Sequence, residues 1–102
     1  MAQEIRKIEF NLEETQMAMQ VFCDKTGQKF PAGKISMVAA EAGGRLKIEF
    51  NNDDSKIMPM RDKDMLTALL VFCQEKGIPV PKGGKKVLKA EGAKVVMLVK
   101  MG

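Results

Sequence analysis

The residues able to do chemistry in this chain are lysines, carboxylates and two thiols; it has no His, Trp or Tyr. Without imidazole, the most frequent general base and the commonest metal ligand are both missing. Catalysis would fall to a Lys–carboxylate pair or to an activated thiol at Cys23 or Cys73. Neither cysteine belongs to a C-x-x-C pair, and each closes the same apolar triplet, Val21-Phe22-Cys23 and Val71-Phe72-Cys73. They read as small buried hydrophobes, kept reduced in a cytoplasmic protein. Two thiols without a histidine make a poor zinc site. Glu41 and Glu91 recur fifty residues apart, but each precedes a glycine-containing turn where a polar strand-end residue is ordinary. No acid, base and nucleophile converge in this pattern. The expectation is a protein that is not an enzyme and takes no cofactor or metal.

One stretch does suit a ligand. In Pro81-Lys82-Gly83-Gly84-Lys85-Lys86, glycines free the backbone N–H groups to turn toward an anion and ammonium groups flank them. It is not a Walker A loop, because the G-x-x-x-x-G-K-[ST] spacing fails and a strand is expected to follow. The surrounding charge points the same way. The net charge is +4, from 17 basic and 13 acidic residues, and residues 1–50 hold seven of each sign. The excess therefore lies in the second half, where six lysines face only Glu91 from residue 82 onward. Lys82, Gly83, Gly84, Lys85, Lys86, Lys89 and Lys94 are the candidate contacts to an anion or nucleic acid. Modules that grip single strands stack bases on exposed aromatics. Here all five Phe fall at expected core positions, so binding would go through phosphates.

The elements that must carry these residues follow from an internal repeat. At a constant offset of fifty, nine of the 24 positions from 18 to 41 are identical, among them Ala18/Ala68, Gly27/Gly77, Pro31/Pro81 and Gly33/Gly83. Each copy reads as strand, helix, strand, strand. In the first, Ile8 and Phe10 alternate with charges in a strand near 4–10. Asn11 with Glu14 three residues later forms a capping box, and Gly27 ends the helix. Strands near 34–41 and 45–50 follow, joined at Ala42-Gly43-Gly44. In the second copy, a strand near 56–60 carries Pro59, which argues for an edge or a bulge. A helix over about 62–76, with Asp62 as candidate cap, precedes strands near 85–91 and 94–101 joined at Gly92-Ala93. The polar run Asn51–Ser55 reads as the joint between repeat 1, about 4–50, and repeat 2, about 54–101.

A unit of about fifty residues has little core of its own, so residues 1–102 are expected to form a single α+β domain. Its tandem βαββ repeats should share one mainly antiparallel sheet of about six strands, with both helices on one face. The copies differ in two places. The helix stripe Gln16, Gln20 becomes Leu66, Leu70, and the outward Arg45, Lys47, Glu49 become Val95, Met97, Val99 at the same offset. Leu66, Leu70, Val95, Met97 and Val99 are thus an apolar excess in need of a cover, either a deeper core in this half of the chain or the candidate seat of a second copy. No apolar run approaches the roughly 20 residues that cross a bilayer, and Met1-Ala2-Gln3-Glu4 lacks the basic start of a secretory leader. The leading expectation is a non-catalytic interaction module, pairing with itself as a homodimer. The alternatives are a nucleic-acid-binding protein using lysine–phosphate contacts, an acidic protein as partner, and, third, an enzyme without histidine chemistry.

Overall fold

The computed structural model describes residues 4–101. The chain runs β1 (Glu4–Asn11), α1 (Leu12–Thr26), β2 (Ile35–Glu41), β3 (Arg45–Phe50), β4 (Asp53–Arg61), α2 (Asp62–Lys76), β5 (Lys85–Ala90) and β6 (Lys94–Met101). It is an α+β fold with two helices and two three-stranded antiparallel sheets, ordered β1-β6-β5 and β2-β3-β4. Each sheet draws on both halves of the chain. The first strand pairs with the last hairpin, and β4 pairs with the first hairpin.

The expected continuous sheet of about six strands does not form. Between the two sheets, the described residues hold one bridge, Val38 with Gly92, which exchange two N–H···O bonds of 3.0 Å. A longer ladder would need β5 opposite β2. The partner of Val38 is instead a turn glycine beyond the end of β5, where no strand continues.

Both helices start and stop for legible reasons. The Asn11 side chain accepts from the Glu14 N–H at 2.7 Å, and Glu14 Oε1 accepts from the Asn11 N–H at 3.0 Å, so the capping box is formed. The second helix has no such cap: Arg61 holds the cap position, and its side chain accepts no N–H of the first turn but pairs with the Asp64 carboxylate. Asp62, expected to cap it, is already helical and donates its N–H to the Gly44 carbonyl at 2.9 Å. Gly27 and Gly77 close the helices in the left-handed region, at φ 72° and 70°, where a side chain would be strained. The run Asn51–Ser55 is not a loose joint. Asn51 and Asn52 alone turn the chain, both at positive φ, and β4 begins at Asp53 as the third strand of the sheet. Pro59 lies on β4, an edge strand, where the lost N–H breaks no ladder.

One apolar cluster joins both helices and both sheets, including Phe10, Met19, Val38, Ile48, Phe50, Met65, Leu69, Val95 and Met97. Phe10 and Phe72 meet edge-to-face at 6.3 Å, and Phe30 and Phe50 at 5.6 Å. Val95, Met97 and Val99, the expected outward face of β6, are completely buried in this cluster. The cause is one residue. In the first hairpin Ala40 pairs with Leu46, whereas in the second Ala90 pairs with Val95, so the second turn is one residue shorter. An offset of fifty therefore becomes forty-nine beyond the turn, and a slip of one residue turns every side chain of a strand to the other face. Leu66 and Leu70 also pack against the chain's own core, half-buried beside β5. Val95, Met97 and Val99 are therefore core, while Leu66 and Leu70 stay half-buried at the surface.

Candidate nucleic-acid interface

With Val95, Met97 and Val99 turned inward, the alternate residues of the β1-β6-β5 sheet form its outer face. The strand register arranges them in rows. Ile5, Lys100 and Lys85 form the first; Lys7, Leu98 and Val87 the second; Glu9, Val96 and Lys89 the third; Asn11 and Lys94 the last. Lys7, Lys85, Lys89, Lys94 and Lys100 thus frame an apolar centre of Val87, Val96 and Leu98. Neighbouring strands lie about 4.8 Å apart and alternate residues of one strand roughly 7 Å apart, so the five ammonium groups share one compact surface. Val96 is shut from solvent, flanked by the long side chains of Glu9 and Lys89, whose stems can cover it. The accessible part of the face is therefore mostly lysine.

Glu9 is the single acid in this array. Its carboxylate meets Lys7 at 3.1 Å and Lys94 at 3.3 Å, and those two ammonium groups, Lys7 first, hold it below the usual glutamate pKa. The outer face of the other sheet is built on the same plan but carries mixed charge: Arg45, Lys47 and Arg61 stand among Glu41 and Glu49. Only the β1-β6-β5 face is predominantly of one sign.

The structure divides the candidates taken from the sequence. Lys85, Lys89 and Lys94 share the sheet face. Lys82, Gly83 and Gly84 are exposed in the loop before β5, and the Lys86 Nζ donates to the Lys82 carbonyl at 3.4 Å. Lys82 and Lys86 border a shallow groove lined by Leu70, Ile78 and Val80, away from the outer face. Gly84 has a structural reason to be glycine: at φ 92°, an added Cβ would stand 2.6 Å from the Lys100 carbonyl oxygen. Lys7 and Lys100 escaped the sequence reading as site residues. Lys7 has the period-two signal of its strand, yet nothing in that signal says β1 lies beside β6.

Two further polar groups have structural work. Gln16, on the stripe where the second helix carries leucines, donates to the Gly33 carbonyl at 3.0 Å and accepts from the Ile35 N–H at 2.9 Å, tying α1 to the start of β2. Cys23 and Cys73 are free and buried, and burial pushes both thiols above their ordinary pKa, away from the reactive thiolate. Among the described residues, no three Cys, Asp or Glu come together as a metal site, and no helix is long and apolar enough to cross a membrane. Compared with protein-family models, curated proteins and solved structures, the chain matches none of them.

Proposed function

We propose that this protein is a non-catalytic binding module for a polyanion, a nucleic-acid backbone first, and that the outer face of the β1-β6-β5 sheet is its working surface. The observation that carries this reading is the frame of five lysines around one glutamate on that face. Phosphate contact suits it better than base stacking, because Phe10, Phe50 and Phe72 are buried and Phe22 and Phe30 half-buried. It also suits a polyanion better than an apolar partner, since the central Val96 is already covered. The two halves read as duplicates that diverged in charge, one sheet keeping a mixed outer face while the other became basic.

The test is a pair of variants. Replacing Lys85, Lys89 and Lys100 with Ser should weaken binding to a duplex oligonucleotide at low salt by about tenfold or more. The dependence of log affinity on log salt should become shallower by about 0.9 for each phosphate that is no longer neutralised. Replacing Lys82 and Lys86 with Ser should change little. Exposed lysines contribute little to folding, so neither variant should lower the melting temperature appreciably. A wild type that binds no polyanion at low salt overturns the proposal. Weakened binding in the loop variant alone would move the site to residues 82–86.

A further inference from the structure

A β-sheet edge offers a row of unpaired backbone N–H and C=O groups to any strand that fits it, and proteins blunt such edges with proline, bulges, uniform charge or a covering element. The four edges of this fold are treated differently. On β4, Pro59 removes a donor and the ladder to β3 is irregular between Glu49 and Phe50. On β2, the ladder shifts between Ile35 and Met37, and Val38 is already bonded to Gly92. On β5, Lys85, Lys86 and Lys89 put one sign along six residues, which repels a like strand. Among the described residues, the β1 edge has none of these devices. Its eight residues pair with β6 in unbroken register, contain no proline, and alternate Glu4, Arg6, Lys7 and Glu9. Ile5 on the same strand is 57% exposed.

That mixture of signs is self-complementary in a register that overlaps most of the strand. We infer that β1 of one molecule pairs antiparallel with β1 of a second copy, Ile8 facing Ile8 across a twofold axis. The axis is perpendicular to the sheet, so outer face must continue outer face and the candidate registers differ by steps of two. Centring on Lys7 sets lysine against lysine, on Arg6 arginine against arginine, and on Glu9 glutamate against glutamate, while centring on Ile5 sets Glu4 against Arg6 but overlaps only residues 4–6 of the two strands. Centring on Ile8 sets Lys7 of each copy opposite Glu9 of the other, on the outer face, with no like charges directly opposed. Opposite charges directly across an antiparallel pair attract and like charges repel. The contact is isologous and closes at two copies, because pairing uses up the β1 edge of each. The pair would join two β1-β6-β5 sheets into one six-stranded sheet, with both lysine faces on the same side. The inference stands on the β1 edge and its charge order, independently of what the lysine face binds.

The test uses the full chain and no polyanion. Wild type should sediment as a dimer at high micromolar concentration. K7E sets glutamate against Glu9 twice, and E9K sets lysine against Lys7 twice, so each variant alone should raise the dimer dissociation constant about tenfold or more. An equimolar mixture of K7E and E9K restores both opposite-charge pairs and should recover the dimer. Circular dichroism confirms that each variant is folded; these side chains are solvent-exposed, and their ion pairs contribute little to stability. A monomeric wild type overturns the inference. So do single variants that remain dimeric, or a mixture that stays monomeric.

Discussion

Glu9 is the most informative single residue, because its surroundings report whether the lysine face is assembled. Lys7 lies two residues before it on β1, while Lys94 comes from β6 at the far end of the chain. The carboxyl titrates below the ordinary glutamate value, so its ion pairs are present above that value and are lost as pH falls through the lower, folded-state pKa. The expected outcome is a carbon-detected NMR titration with the Glu9 midpoint below that of a free glutamate, moving upward in the Lys7→Ala variant. A Glu9 midpoint at or above the ordinary value would mean the two lysines do not converge on it. Half of this arrangement could be read from the chain. Lys7 and Glu9 announce themselves as same-face neighbours by their spacing, but Lys94 enters only through a pairing between residues 85 positions apart.

At the scale of elements, the sequence placed the eight strands and helices well because their signals are local: the Asn11–Glu14 box, the glycines after each helix, and the alternation in β1 and β3. It misjudged β6 because an offset read from the helices was carried across a turn that is one residue shorter in the second half. The decisive residue is Ala90, which pairs with Val95 and not Val96. The register makes Met97 the counterpart of Ile48, and Val96 the counterpart of Lys47. Met97→Lys should therefore bury an unpaired ammonium group and destabilise the fold by about 3 kcal/mol or more. Val96→Lys, on the outer face where a lysine can reach solvent, should cost much less. Urea unfolding of the two variants decides it. The reverse order of stabilities would restore the ungapped offset and put Met97 outside.

The whole molecule depends on pairings that no local signal carries. β1 joins β6, and β4 joins β3, so each sheet needs strands from both halves of the chain. A repeat shows that two units are alike; it does not say that their first strands each pair with the other unit's hairpin. The same exchange brings Lys7 of the first half beside the lysines of the second and creates the basic face. The candidate site was legible as an excess of charge near the C-terminal end, but not as a surface, since the loop lysines and the sheet lysines separate only once the register is known. The measurement that bears most directly on the polyanion face is an amide NMR titration of the wild type with a short duplex oligonucleotide at low salt. Resonances of Lys7, Lys85, Lys89, Lys94, Leu98 and Lys100 should shift together and saturably, while those of Arg45, Lys47 and Lys82 stay nearly still. Shifts centred on residues 82–86, or on the β2-β3-β4 face, would contradict a polyanion site on the β1-β6-β5 sheet.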